Sequence, residues 1–292
     1  MLNARISGIA SYVPEDILDN EMLSKMVDTN DEWITTRVGI KERRILKVEG
    51  AGSSYLGEKA VKRLLESTGT KPEEVDLLIC ATSNPDYRFP STGSIIANLC
   101  GLSSTYAYDI QAACAGFIVA LQDATAYIRS GMYKKVVIVA TEKMSSMVNY
   151  NDRATCPLFG DGAAAVLIEP CADGNGLQDA ILRSDGVGKE YLHMKAGGSI
   201  KPATHETVDA REHFVYQDGK NVFKWAVSKM SEVSLEMMDR HGLNPNEIYF
   251  LPHQANMRII DAVASRLEVP MEKVMVNIQR YGNTSAGTLP LC

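Results

Sequence analysis

Between Ser54 and Ser67, apolar side chains recur at Leu56, Ala60, Leu64 and Leu65. This is the spacing of one helix face, with Ser53 or Ser54 as the N-cap and Gly69 as the stop. The run EVDLLICAT that follows is short and almost continuously apolar, which fits a strand buried on both faces of a sheet. The opening MLNARISGIASYV reads as a first strand, Gly116 to Ser130 as a helix, and Lys134–Ala140 and Ala163–Glu169 as two further strands. Buried strands alternating with amphipathic helices predict an α/β protein.

The pattern repeats. GTKPEEVDLLICA from Gly69 and GLNPNEIYFLPHQ from Gly242 share the glycine, the proline, a glutamate and the apolar run at a constant offset of 173 (242 − 69). Further on, YDIQAACAGF has a counterpart in VNIQRYGNTSAG, where Ile110-Gln111 matches Ile278-Gln279 at an offset of 168 (278 − 110). Such similarity predicts duplicated units packed together, here two halves, residues 1–170 and 171–292, related by an approximate twofold. On that reading Cys114 and Asn283 occupy equivalent strand-to-helix turns. His253 lies at the carboxyl end of the strand equivalent to the one ending near Cys80, and all three converge where strands end and helices begin. Only nine residues follow Asn283 (292 − 283), so the second half is expected to be truncated, without its last helix turns and two strands.

Composition changes this picture little. A formal charge of −6 argues against a nucleic-acid partner, because phosphate binding needs a concentrated basic surface. The six cysteines are scattered without C-x-x-C or other metal-ligand spacing, so no metal site is expected, and reduced thiols fit a cytoplasmic location. The N-terminus lacks the order of a signal peptide, and no apolar run has the length of a membrane span.

Cys114 is the candidate nucleophile. A strand-to-helix turn sets it near backbone N–H groups at the positive end of a helix, which favours thiolate, and small neighbours (Ala112, Ala113, Ala115, Gly116) leave room for a substrate. An unpaired cysteine is also an ordinary small hydrophobe, a histidine is often structural, and asparagine readily holds a turn. His193, His205, His213 and His241 are read as structural. Together, Cys114, His253 and Asn283 supply a nucleophile and two donors for a developing oxyanion, the needs of acyl transfer. The same order of residues, with a gap of 139 (253 − 114), also fits a papain-like Cys-His-Asn hydrolase, although the C-G-S-C-W signature is missing. A catalytically inactive binding protein of the same fold is the other alternative.

At these residues the sequence strongly resembles β-ketoacyl-acyl carrier protein synthase III. The motifs DTNDEWITTRVGIKERR, DIQAACAGF, FGDGAAAV, LPHQANMRII and YGNTSAG stand in order over essentially the whole chain. The resemblance implies a thiolase-like fold of two pseudo-symmetric α/β halves in an αβαβα layering. It also implies a decarboxylative condensation of a short acyl-coenzyme A, acetyl-coenzyme A first among them, with malonyl-acyl carrier protein through an acyl-Cys114 intermediate. His253 and Asn283 complete the implied triad and donate to the enolate oxygen. The family's second oxyanion donor to the acyl-cysteine is a glycine in a C-terminal segment that these residues do not include. Coenzyme A enters as a substrate, with no permanently bound cofactor implied.

Trp33 and Arg37, four apart behind a cap at Asp31, share one helix face and suit a nucleotide, the indole against adenine and the guanidinium against phosphate. The resemblance places Arg153 on the other side of the adenine, and Asn221 and Asn256 along the pantetheine channel. It assigns Lys224, Arg258 and Arg266 to carrier-protein contact, where scattered basic residues are otherwise a solvated face. Phe89 matches a residue that lines the acyl pocket of the partner subunit in a homodimer, against the ordinary reading of a core phenylalanine.

Overall fold

The buried strand expected around Leu78 organises the first half. In a computed structural model describing residues 2–292, β1 (Asn3–Tyr12) leads into a small hairpin-like unit, β2 (Ile17–Asp19), α1 (Asn20–Ser24), α2 (Asp31–Val38) and β3 (Glu42–Arg44). Then α3 (Ser53–Thr68), β4 (Leu77–Ala81), α4 (Thr92–Leu99), β5 (Tyr106–Ile110), α5 (Gly116–Arg129), β6 (Val136–Lys143) and β7 (Asp161–Cys171) follow in the order the pattern predicts. The five-stranded sheet runs β1-β7-β6-β4-β5, with β4 parallel to both neighbours and β7 antiparallel to β6 and β1.

Every residue of β4 is buried, because helices cover both sheet faces. The two-residue period sorts the side chains cleanly. Leu78, Cys80, Val137 and Val139 pack with Leu56, Ala60, Leu64 and Ile96 of α3 and α4. Leu77, Ile79, Val136 and Ile138 pack with Phe117, Ala120, Ala124 and Ile128 of α5 on the other face. Burying any one of these large aliphatics contributes about 1.5–3 kcal/mol.

Two caps differ from expectation. Asn30, not Asp31, caps α2 by accepting from Trp33 N at 2.7 Å, which frees Asp31 to accept from Asn20 Nδ2 at 2.8 Å. Gly52 is the cap residue of α3, and the Ser54 backbone donates instead to Asp86 at 3.0 Å.

The second half continues with β8 (Leu192–Met194), α6 (His205–Asp209), β9 (Val215–Gln217), α7 (Gly219–His241), α8 (Met257–Arg266) and α9 (Ile278–Tyr281). The repeat is visible at the helix stops: Gly69 (φ 65°) and Gly242 (φ 60°) end α3 and α7 in the left-handed region that glycine enters at no steric cost. The strand expected before His253 does not form. Phe250 makes a single parallel bridge with Val274, whereas its counterpart β4 is held between two strands. A strand needs a ladder on at least one side, and among the described residues none is there. Ile34 and Val38 of α2, Val227 of α7 and Ile259, Ile260 and Val263 of α8 share a third core that docks this half against the first.

Candidate active site

Two elbows meet at the sheet's carboxyl end. After β5 the chain turns through Ala112 into a single 3₁₀ turn, Ala113–Ala115, then α5. After α9 it turns through Thr284 into another, Ser285–Gly287. Both begin with a non-glycine residue in the left-handed region, Ala113 at φ 46° and Ser285 at φ 50°, a conformation that costs on the order of 1 kcal/mol or more and gathers at functional sites. The matching backbones pair Ala113–Ala115 with Ser285–Gly287. Cys114 therefore has Ala286 as its structural counterpart, and Asn283, read from sequence as the equivalent of Cys114, precedes that elbow. The elbows touch closely: a Cβ on Gly116 would lie 3.4 Å from Ala286 Cβ and 3.2 Å from Ala81 Cβ.

Ser285 connects two of the three candidates, on an elbow whose Ala286 lies against that of Cys114. Its N–H donates to Asn283 Oδ1 at 2.8 Å. Its carbonyl accepts from Thr288 Oγ1 at 3.1 Å, and that hydroxyl oxygen lies 2.7 Å from His253 Nδ1. The convergence foreseen from the repeat is thus present, but through a residue that the sequence reading did not select.

Each side chain is left with a defined free end. Asn283 is fixed along its backbone by its N–H to Leu158 O (2.8 Å) and its carbonyl from Gly160 N (3.1 Å). With Oδ1 occupied by Ser285, its Nδ2 is the available donor. His253 is anchored at Nδ1, and its Nε2 has no hydrogen-bond partner among the described residues. The Thr288 hydroxyl has one proton: when it turns from Ser285 O to donate to Nδ1, the ring proton resides on Nε2 and can be given to an oxyanion. Burial holds the His253 pKa down to about 4, so the ring is neutral near pH 7.

The expectation of a favoured thiolate at Cys114 is overturned. Burial and the nearby Glu142 carboxylate push the thiol up to about 11. At rest the Cys114 side chain is a thiol, so an attack by it requires its proton to be removed.

The remaining candidates lie outside the Ser285 network. Arg153 stacks on Trp33, its guanidinium 4.8 Å from the ring, and lies 3.5 Å from Asp28. Arg37 is exposed in the last turn of the same helix. Asn256 caps α8, accepting from Arg258 N at 2.9 Å, and Asn221 lies in the first turn of α7 with Nδ2 on Asp218 at 2.8 Å. Lys224, Arg258 and Arg266 are exposed on α7 and α8, which pack together: Arg258 lies 5.2 Å over Phe223, and Arg266 reaches Val227 O at 3.4 Å. Phe89 is 85% exposed, so the core reading fails. Of the other histidines, His241 pairs with Asp179 at 2.9 Å and none takes part in the Ser285 network. Among the described residues, no group of three or more His, Cys, Asp or Glu is placed to hold a metal, and no helix is long and apolar enough to cross a membrane.

Glu142 was missed as well. Its signal in the sequence was a lone carboxylate closing the apolar run VVIVATEK, at the same sheet end as Cys114.

Residues 108–186 match the family model 3-oxoacyl-[acyl-carrier-protein (ACP)] synthase III, and residues 238–292 match that of its C-terminal part. The chain is 56% identical over 292 residues to a β-ketoacyl-[acyl-carrier-protein] synthase III of Phocaeicola vulgatus, covering all of this chain and 87% of that protein. It is 57% identical, with the same coverage, to β-ketoacyl-[acyl-carrier-protein] synthase III 2 of Bacteroides thetaiotaomicron. The crystal structure of 3-oxoacyl-[acyl-carrier-protein] synthase III from Aquifex aeolicus is 42% identical and superposes with a TM-score of 0.89, over 99% of this chain and 88% of that one.

Proposed function

The chain belongs to the 3-oxoacyl-[acyl-carrier-protein] synthase III family, and from that premise we infer how its own residues carry the reaction. It is a thiolase-fold acyltransferase of fatty-acid synthesis, catalysing the priming condensation of an acyl-coenzyme A with malonyl-acyl carrier protein. The hydrolase alternative loses its basis, since the relatives over the whole chain are condensing enzymes.

Cys114 attacks the acyl thioester and holds the acyl group while coenzyme A leaves. Malonyl-acyl carrier protein then enters and loses CO₂. The negative charge that develops on its thioester oxygen is met by Asn283 Nδ2 and His253 Nε2–H, donors whose other ends are already fixed. Because these bonds strengthen only as charge appears, they lower the barrier rather than merely binding substrate. The carbanion attacks the acyl-Cys114 carbonyl, giving the 3-oxoacyl thioester. The single observation that supports this assignment is the Ser285 elbow, which bonds Asn283 directly, meets the Thr288 hydroxyl beside His253 and packs against the elbow that carries Cys114.

Around this centre the reading extends outward. Trp33 and Arg153 hold the adenine, Arg37 meets phosphate, and Asn221 and Asn256 line the pantetheine path. No cofactor is held permanently. Halves 1–170 and 171–292 each contribute one elbow, and the protein works in the cytoplasm as a homodimer. The homodimer is supported by β5, which ends the sheet with Tyr106 62% exposed, and by the exposure of Phe89 in the loop between β4 and α4, as an acyl-pocket residue for a partner would require. The chain has a formal charge of −6, so Lys224, Arg258 and Arg266 form a local basic patch for an acidic carrier protein.

The test is a condensation assay with acetyl-coenzyme A and malonyl-acyl carrier protein, with a peptide substrate in parallel. One coenzyme A and one CO₂ per 3-oxobutyryl product, with the peptide intact, is the expected outcome; peptide cleavage without condensation would refute it. In the same assay Arg258→Glu raises KM for malonyl-acyl carrier protein about tenfold and leaves that for acetyl-coenzyme A unchanged. Equal rises for both would remove the patch from carrier-protein binding.

A further inference from the structure

The loop that carries Arg153 is tied to the second half of the chain by a side chain that the proposed mechanism does not use. Arg211 follows α6, which ends at Asp209 with Ala210 as its cap residue. Its N–H donates to Val208 O at 2.9 Å, and the next N–H, of Glu212, donates to Thr207 O at 3.0 Å, the pair of bonds that closes a helix on a left-handed residue. Glycine takes that conformation at no steric cost, but here Arg211 holds it at φ 57°. Glu268 ends α8 the same way, at φ 58°, so the conformation by itself assigns nothing. What sets Arg211 apart is where its guanidinium goes. Nη1 donates to Asn149 Oδ1 at 2.9 Å. The Asn151 amide faces the same guanidinium, and with its oxygen turned toward these donors it accepts from both Nη1 and Nη2, the latter at 2.9 Å.

These two amides open a loop that is fixed onward to Arg153. Asn149 Oδ1 also accepts from Asn151 N at 3.1 Å, and Asn149 O accepts from Asp152 N at 2.9 Å. The Asp152 carboxylate accepts in turn from Ala154 N at 2.9 Å and from Thr155 Oγ1 at 2.7 Å. Arg153 thus lies between two backbone N–H groups that are already bonded, with its guanidinium 4.8 Å from the Trp33 ring and 3.5 Å from Asp28. At the other end of the tie, Glu212 O accepts from Ala196 N at 3.0 Å and the Glu212 carboxylate pairs with Lys201, so Arg211 reaches out from an anchored backbone. Tyr150, between the two amides, packs against the third core. The loop therefore keeps its place in the fold without Arg211 and loses only the tie that orients its exposed side.

We propose that Arg211 is a positioning residue for the nucleotide end of acyl-coenzyme A: it fixes the 149–153 loop so that Arg153 meets the adenine in register with Trp33. The proposal rests on the reading above in which Trp33 and Arg153 hold the adenine. Arg153 and Asp28 are both exposed, and an exposed ion pair gives little hold on its own. Ordering a long side chain and its loop at the moment of binding costs affinity, and a loop ordered beforehand removes part of that cost. Arg211 supplies this order with a planar fork set against two amides. Its contacts are to the loop and not to the Ser285 network, so its effect falls on nucleotide binding and leaves the chemistry at Cys114 alone.

The experiment compares acylation of Cys114 by acetyl-coenzyme A and by acetyl-pantetheine, which carries the same thioester without the nucleotide. Rates are read by intact mass over a range of thioester concentrations in the wild type, Arg211→Gly, Asn149→Ala and the double variant. Glycine removes the side chain while suiting the left-handed backbone, so the urea midpoint of Arg211→Gly stays near wild type. Its half-saturating concentration for acetyl-coenzyme A rises ~5-fold with an unchanged maximal rate, while its response to acetyl-pantetheine stays that of wild type. Asn149→Ala removes the acceptor from the other end and gives a rise of the same kind, so it decides the matter if Arg211→Gly does not fold. The double variant rises by less than the product of the two single effects, as partners in one contact do. An unchanged half-saturating concentration for acetyl-coenzyme A, or equal losses with both thioesters, would overturn the proposal. A wild type that takes its acyl group equally well from either thioester, or from neither, would instead refute the reading on which it rests.

Discussion

Asn283→Ala is expected to lower turnover by ~10²–10³-fold, about 3–4 kcal/mol of transition-state stabilisation, while Cys114 is still acylated by acetyl-coenzyme A. The split follows from where Asn283 points. Its backbone is clamped by Leu158 O and Gly160 N, and Oδ1 accepts from Ser285 N, so the only free polar group is Nδ2. On the proposed mechanism that donor serves the enolate of the second half-reaction, not the thiol of the first. Alanine also removes the acceptor that steadies Ser285 in its left-handed conformation, so some loss in the first step would be structural. Asn283→Asp separates the two effects. It keeps an oxygen for Ser285 N but replaces the donor with a negative charge facing the enolate, and decarboxylation falls at least as far as in the alanine variant. Stopped-flow release of CO₂ from malonyl-acyl carrier protein, beside mass measurement of the acyl adduct, reads both steps; equal losses in both would remove Asn283 from the enolate site.

The largest stability effect is expected at Arg43. This side chain is wholly buried on the short strand β3, and among the described residues no carboxylate pairs with it. Nε and Nη2 donate to Pro157 O at 3.0 and 2.7 Å, and Nη1 donates to Asn20 Oδ1 at 2.7 Å. Burial lowers its pKa to about 10. Its stem packs on Gly160 and Gly282: a Cβ on Gly160 would lie 3.2 Å from Arg43 Cβ, and one on Gly282 3.3 Å from Arg43 Cγ. Arg43→Ala therefore opens a cavity and strands two buried acceptors at once. Relief of the guanidinium's desolvation offsets part of this, but each unsatisfied acceptor costs about 1–3 kcal/mol and the cavity adds a similar amount. The expected loss is on the order of 4 kcal/mol, read as a lower urea midpoint with unchanged slope. Leu158 and Gly160, which fix the Asn283 backbone, directly follow Pro157. A milder Arg43→Lys variant should therefore lose turnover in the decarboxylation step before it loses its fold. A midpoint within experimental error of wild type for Arg43→Ala would show that the network around Pro157 contributes little.

How far the sequence could be read depended on how local each cause was. The sheet of the first half was legible because its strands are buried on both faces, so that continuous apolar runs could sit only in its middle. The Gly69 and Gly242 stops were legible because a left-handed helix end selects glycine wherever it occurs. The strand before His253 was misjudged because apolar content says nothing of whether a partner lies alongside, and Phe250 has only Val274. The chemistry divided the same way. Cys114, His253 and Asn283 stood out by residue type and motif, but the state of the thiol did not. Proximity to a helix start argued for thiolate, whereas burial and a carboxylate from β6 decide for thiol, and neither is visible in a local window. Ser285 and Glu142 were overlooked for that reason: their meaning lies in three-dimensional contact with segments distant in the chain.

The central claim is that Cys114 carries the acyl group. Intact mass and peptide mapping after incubation with acetyl-coenzyme A, beside Cys114→Ala, test it most directly. The account predicts one acetyl group per chain, mapped to Cys114 and missing from the variant. An acetyl group on any other residue, or one retained in Cys114→Ala, would contradict it.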